Sequence, residues 1–524
     1  MRLRFRDLWV LVVAAGLWLP GIWDSHFLSD DFNLIQTWGQ APVWTWFSTE
    51  TVGYYRPLSA LLFRVDYLLW GQQAFGYYLT NLLIHLGCAL MVSHLAASLG
   101  PRHRHTALWA GLLFLFLPGH IFAVLWVSAR TGLLCTLFYL VAVSLFLRAR
   151  SAGGWPYEVL SLAAFAAALL AKELAASLPL LVLAWEAALS RFDFRRLPRA
   201  VLPYAVVLAA YGLFRYLQFG HLPESILHTN TDPARLFLNA AIYGAKLFVP
   251  WGLEGLKPLF RANPAWLWAA VLGGAVLVAG WFWHSRRRLG AAQLLGALWV
   301  AITLLPVLRL YSPWSTYLSA VGAALLMAFL LDSLEKQKMQ RLVFGALMAL
   351  SAVYSIRQQW HWKQAGLLGE RMVTEVIRTA AASPGKLYLA NLPVELGEAP
   401  VFGGDWGLTG ALRLRGYPAE VEVLVGVSKA EIREQLRATP VDEQRFELAL
   451  GSPGEFFRLE TIEVLSKQLR PGPGYSYTKG SARITAVGFN DQNEPNRLEI
   501  DMGTPERLKQ VRVWNGERLV PVVQ

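Results

Sequence analysis

The sequence predicts a polytopic α-helical membrane protein with a C-terminal soluble α+β domain, and three observations carry that prediction. Of 524 residues, 55% are hydrophobic and only 16% are charged, where soluble domains carry roughly a quarter. Apolar runs near the ~20 residues needed to cross a bilayer recur as far as residue 356. From about Ser383 they give way to short β-prone segments with alternating charge. The net charge of +12 sits in short clusters between apolar runs. That suits loops at anionic headgroups and argues against a nucleic-acid surface. The 22 tryptophans suit interfacial belts and sugar or lipid contacts. Both cysteines, Cys88 and Cys135, fall inside apolar runs, so neither a disulfide nor a thiolate metal site is expected.

In chain order, "MRLRFRDLWVLVVAAGLWLPGIW" reads as an uncleaved signal anchor, because no small-x-small cleavage site follows it. Spans are expected at 8–23, 76–98, 106–122, 131–148, 157–171, 174–190, 200–218, 265–283, 291–310, 315–332 and 341–356. The basic clusters "MRLRFR", "PRHRH", "RAR", "RFDFRRLPR", "HSRRR" and "EKQKMQR" are placed in the cytoplasm. The apolar stretch 234–253 would put "HSRRR" outside if it spanned. It therefore reads as an amphipathic or re-entrant helix on the outer side. This gives about 11 spans, with the N-terminus in and the C-terminus out. Residues 1–382 form the membrane domain, with a long outer loop at 24–75, and residues 383–524 form the extracytoplasmic α+β domain. Within the loop, Arg64 and Asp66 interrupt an apolar run, as suits a helix along the interface. The segments "KLYLAN", "EVEVLVG", "RFELALG", "FFRLETIEV", "ARITAVGF", "RLEIDM" and "VRVWNGERLVPVV" read as strands, the last with a hairpin turn at "NGE". Helical pieces are expected near 407–414 and 428–437.

A few polar residues stand out against this background. Asp30 and Asp31 follow the first span. They read either as part of a helix start capped by Ser29 or as a general base or divalent-metal ligand at the bilayer surface. Asn81 and His85, four residues apart, share one face of an apolar span, where polar groups need partners. His120 and Arg130 flank an aromatic-rich outer loop. Arg130 is either a snorkelling anchor or a phosphate clamp. Lys172 and Glu173 form a two-residue charged connection between apolar runs, either a salt-bridged turn or a lysine reaching a lipid phosphate. Arg56, in "YYRPL", adds a third cation or a loop anchor. All of these lie on or near the outer side, an arrangement that describes a site for a phosphate-bearing lipid and a proton-losing acceptor.

In order and spacing, "DDF", "YYRPLSALLFRVDYLLWGQQAFGYYLTNLLIHL", "PGHIFAVLWVSARTGLL" and "AKELAASLPLL" resemble the membrane half of GT-C fold glycosyltransferases. The similarity is to the TMTC-like protein O-mannosyltransferases and their bacterial relatives. It covers roughly residues 20–373, with weaker matches at 308–325 and 357–373. The resemblance implies transfer of a sugar from a polyprenyl-phosphate donor, with inversion, at the outer face of a bacterial inner membrane. It implies Asp31, with Asp30, as the base, and Arg130, Lys172 and Arg56 on the donor phosphate. Glu173, His85, His120, Asn81 and Tyr55 would be supporting residues, with Tyr54, Trp44 and Trp46 available to stack on sugar or prenyl chain. The partners implied are the donor, membrane lipids, and a protein, lipid or glycan acceptor.

The chain departs from the family pattern at Leu117, Phe122 and Gly132, where many relatives carry a histidine, a glutamate and an acid. These losses weaken a divalent-metal requirement, and no other cofactor is expected. The α+β domain stands where relatives often carry tetratricopeptide repeats. A transporter would show inverted repeats with broken helices at matching positions, and none is visible. A non-catalytic scaffold of a surface-glycan assembly machine and a lipid-linked sugar transporter are the alternatives.

Overall fold

The computed structural model describes residues 5–51, 53–190, 193–221, 232–249, 290–309, 312–382, 385–417, 420–428, 436–450, 456–457, 474–489 and 495–523, with isolated positions 265, 269, 272 and 273. The chain divides into two compact units, Met1–Ile22 with Ala41–Gln359, and Trp23–Gln40 with Trp360–Gln524. The division expected at residue 383 therefore falls inside the second unit, which also takes in the start of the first long loop.

The first unit is helical: α1 (Phe5–Ala15), α2 (Pro57–Trp70), α3 (Ala74–Ser98), α4 (His105–Phe116), α5 (Arg130–Ala152), α6 (Trp155–Ala171), α7 (Leu178–Leu189), α8 (Leu197–Phe219), α9 (Pro233–Phe248), α10 (Ala291–Leu304), α11 (Tyr317–Asp332) and the first half of α12 (Gln337–Ala382). Among the described residues, five helices are long and apolar enough to cross a membrane: 74–98, 127–152, 197–219, 314–332 and 337–382. A sixth results if α4 and the short helix after Pro118, bent by 52°, form one broken span. Three shorter apolar helices, Asp7–Ile22, Trp155–Ala171 and Ala291–Val307, accompany them. The expected span 174–190 contains a helix of only 12 residues, α7, because a 3-10 turn occupies Glu173–Ser177. At 1.5 Å per residue α7 covers about 18 Å, short of the ~30 Å hydrocarbon core. The expected span 265–283 lies outside the described residues, apart from the isolated positions above. These helices mark a multi-pass membrane protein.

Proline and close packing shape this unit. Pro57 and Pro179 open α2 and α7, where a missing N–H costs nothing. Pro118 follows the break at which α4 ends. Where α10 meets α11, a Cβ on Gly322 would lie 2.6 Å from the Gly296 carbonyl oxygen, so the two backbones touch through paired glycines.

The second unit holds two sheets. One has the order β11-β10-β1-β3-β6, with β1 (Leu387–Leu396) parallel to both β10 (Val511–Trp514) and β3 (Val421–Ser428), and β6 (Phe456–Phe457) antiparallel to β3. The other is antiparallel, β4-β5-β9-β8-β7, through β4 (Leu436–Pro440), β5 (Arg445–Leu450), β7 (Ser476–Lys479), β8 (Ala482–Phe489) and β9 (Pro495–Asp501). Strand β1 is buried along nearly its whole length, as a central parallel strand must be. Strand β5 alternates buried and part-buried residues, the period of a half-buried strand. Leu424, Val425, Phe446, Leu448, Ile484 and Ile500 join both sheets in one core. The "NGE" hairpin forms, pairing Trp514 with Leu519 of β11 (Leu519–Pro521). The helix expected at 407–414 is α13 (Asp405–Leu414). The helix expected at 428–437 is not seen in its described ends: Ser428 closes β3 and Leu436 opens β4, and 429–435 lie outside the described residues.

Candidate active site

In the helical unit, the helix α6 stops at Lys172, whose extended backbone (φ −163°, ψ 137°) turns the chain into the 3-10 segment. The break puts Lys172 and Glu173 beside Arg56, which precedes α2. The Arg56 guanidinium forms a fork on Glu173: Nε donates to Oε2 at 3.1 Å and Nη2 to Oε1 at 2.6 Å. Its other face lies 4.1 Å from the centre of the Tyr54 ring. Burial alone would lower the Arg56 pKa and raise that of Glu173. Each is more than offset by the other's charge, so Arg56 shifts up, Glu173 shifts down, and the pair stays ionised. Lys172 is 7% exposed. Its ammonium has no hydrogen-bond or ion-pair partner within bonding distance among the described residues. Burial, then the like charge of Arg56, lowers its pKa to about 8.

Arg130 occupies a different environment. It is completely buried at the start of α5. Nη1 donates to Asp66 Oδ2 at 2.6 Å, Nε to Asn81 Oδ1 at 3.2 Å and Nη2 to the Tyr77 carbonyl at 3.0 Å. All three nitrogens are engaged, and the group lies over the Phe63 ring at 4.5 Å. Neither a snorkelling anchor nor an open phosphate clamp describes this arrangement; it is a buried ion pair tying α5 to α2. Asp66 is correspondingly buried, also accepting from Thr80 Oγ1 at 2.8 Å, and does not face an interface. Asn81 completes the network by donating towards the carbonyls of Trp126 and Ala123.

His85 shares the buried face with Asn81, as their spacing predicts. Its Nε2 lies 3.1 Å from the Leu115 carbonyl and its Nδ1 lies 2.7 Å from Tyr317 Oη. A carbonyl only accepts, so Nε2 carries the proton and Nδ1 accepts from the tyrosine. His120 is fully buried against Phe114, Tyr317 and His85, and neither ring nitrogen has a partner among the described residues. Tyr55 is buried between Phe214 and Phe219, its hydroxyl donating to the Phe47 carbonyl at 3.5 Å. Trp44 is 74% exposed and Trp46 is buried.

The acid pair belongs to the second unit. Asp31 is fully buried and its Oδ2 accepts from the Leu28 amide at 3.1 Å. Asp30 is part-buried and its Oδ1 accepts from Trp406 Nε1 at 3.0 Å. Burial raises the Asp30 pKa, and hydrogen bonds from Trp406 and Ser29 hold part of the rise back. Ser29 is not a helix cap: its backbone is left-handed (φ 47°), and Asp30 flanks the four-residue helix without a side-chain capping bond. Among the described residues, no group of three or more His, Cys, Asp and Glu side chains could hold a metal ion.

Sequence reasoning missed Asp66 as the partner of Arg130, Tyr317 as the partner of His85, and Trp406 as the partner of Asp30. These pairs are 64, 232 and 376 residues apart, beyond any local pattern.

No family model matches the chain. It is 33% identical over 151 residues to protein O-mannosyl-transferase Tmtc1 of Drosophila melanogaster, covering 29% of this chain and 16% of that protein. It is 38% identical over 101 residues to human protein O-mannosyl-transferase TMTC4, covering 17% of this chain and 14% of that protein. The matches thus span under a fifth of those relatives' length. Among solved structures, ArnT from Cupriavidus metallidurans bound to undecaprenyl phosphate aligns with 80% of this chain and 93% of its own, at 15% identity and a TM-score of 0.46. AglB from Archaeoglobus fulgidus, in complex with an inhibitory peptide and a dolichol-phosphate, aligns with 82% of this chain and 70% of its own, at 14% identity and 0.40. The sequence therefore resembles, over those stretches, the protein O-mannosyl-transferases of the TMTC group.

Proposed function

We propose that the chain is an inverting glycosyltransferase that moves a sugar from a polyprenyl-phosphate donor to a hydroxyl acceptor at the outer face of a bacterial inner membrane. The observation that carries this reading is Lys172. A lysine only 7% exposed, whose ammonium has no protein partner among the described residues, beside a forked Arg56–Glu173 pair, suits an anion supplied by a ligand. The family resemblance read from the sequence implies a polyprenyl-phosphate donor, and its phosphate is the anion proposed here.

In the proposed reaction the acceptor oxygen attacks the anomeric carbon while the bond from that carbon to the donor phosphate oxygen breaks. The bonding pair leaves with polyprenyl phosphate, whose added charge Lys172 and Arg56 offset. The acceptor proton goes to the acid pair. Asp30, part-buried and with a raised pKa, is the member that takes it, and Asp31 holds the turn that carries it. Arg130 serves the scaffold and does not touch the donor. The test is genetic. Strains carrying Asp30→Asn or Asp31→Asn should lose the glycan while keeping wild-type levels of the protein. Unchanged glycan in both strains would refute the catalytic reading and favour a scaffold.

A further inference from the structure

The proposed reaction depends on an acid pair that sits on a short segment, Leu28–Gln36, far in sequence from the sheets of the second unit. Four contacts fasten that segment to the crossover between β2 (Ala399–Pro400) and β3. The Ser29 amide donates to the Val401 carbonyl at 2.9 Å. Asn33 Nδ2 donates to the Trp406 carbonyl at 3.0 Å, and Gln36 Nε2 to the Gly410 carbonyl at 2.9 Å. Trp406 Nε1 donates to Asp30 itself.

Glycines make the approach this close. A Cβ on Gly410 would lie 2.5 Å from Asn33 Oδ1, and one on Gly403 would lie 2.3 Å from Ser29 Oγ. Gly403 is also left-handed (φ 67°), and so is Ser29, a conformation that a non-glycine residue keeps only where its surroundings enforce it. The Ser29, Asn33 and Gln36 contacts already anchor the segment. Here an indole N–H is spent on the part-buried carboxylate.

We infer that Trp406 is a positioning residue for the reaction, fixing the orientation and hydrogen bonding of the Asp30 carboxylate from helix α13. Helix α13 then supports the proposed base directly. The inference rests on the proposed function. The charged groups on the packed elements are few. Asp31 adjoins Asp30. Asp405 starts α13 and accepts from Lys479 Nζ at 2.8 Å, Arg413 is exposed at its far end, and His26 lies 3.9 Å from Glu370.

The test uses the full-length protein in nanodiscs, comparing wild type with Trp406→Phe, which keeps an aromatic ring but removes the donor. Two readouts are followed. The first is transfer from the polyprenyl-phosphate sugar, separated into kcat and KM. The second, independent of turnover, is modification of Asp30 by a hydrophobic carbodiimide, which takes the protonated acid. Its pH midpoint is read by mass spectrometry. Loss of one hydrogen bond to a carboxylate predicts kcat down about tenfold to a hundredfold, donor KM within about twofold, and a midpoint about one unit higher. Wild-type kcat and midpoint in Trp406→Phe would overturn the inference. Should that variant fail to fold, Asn33→Ala loosens the same clasp and must shift both readouts in the same direction by a smaller amount; no shift there also overturns it. If wild type transfers no sugar, the proposed function has failed. The midpoint then still decides whether Trp406 governs Asp30.

Discussion

At Lys172 burial and charge act against each other. Its ammonium is buried and its pKa is lowered to about 8. Below that pH the side chain is charged and can meet a phosphate; as pH rises through about 8 the charge is lost. The kcat/KM for the donor, which reports the free enzyme, should therefore fall above pH 8. Lys172→Arg, always protonated, should abolish that alkaline limb even where its maximum rate is lower. An unchanged limb in the arginine variant would assign it to another group. Lys172 was legible in the sequence, because two adjacent charges between apolar runs have few explanations. Arg130 was equally visible, but its role was not. Sequence marks a costly polar residue without marking its partner, and Asp66 looked like a surface charge until the fold paired the two.

Elements are held by such pairs and by close helix contacts. The Arg130–Asp66 pair ties α5 to α2 with both groups buried. Asp66→Asn leaves an uncompensated buried cation and should cost about 3–5 kcal/mol, while the double change to Met and Leu should recover most of it. Thermal unfolding in detergent reads both. Where α10 crosses α11, Gly322→Ala places a methyl 2.6 Å from the Gly296 carbonyl oxygen. Overpacking of this kind costs about 1–3 kcal/mol, and the same unfolding assay should show it. Neither contact was legible, because a glycine within an apolar run gives no hint of which helix it meets. The strands were legible wherever alternation was clear, as in β5 and β8. The short β4 and β7 were missed, since four or five residues carry too little periodicity.

For the whole molecule, the basic clusters predict which loops face the cytoplasm. Cys88 and Cys135 are both buried, so an impermeant maleimide should report introduced cysteines alone. In intact spheroplasts, a cysteine at Asn515 should label and one at Arg195 should label only after lysis. The reverse pattern would invert the proposed orientation. The two-unit division was not legible. Composition changes near residue 383, yet the chain's own contacts group Trp23–Gln40 with the sheets. An 18-residue loop segment carries no compositional sign of the unit it joins. The acid pair thus stood out at once, while its attachment to α13 required the fold.

The most direct test of the central claim is release of polyprenyl phosphate by the purified protein in nanodiscs, across a panel of polyprenyl-phosphate sugars with cell extract supplying acceptors. The account predicts turnover of one donor by wild type and its loss in Asp30→Asn, Asp31→Asn and Lys172→Ala. No release from any donor, or full release by the Lys172→Ala variant, would contradict it.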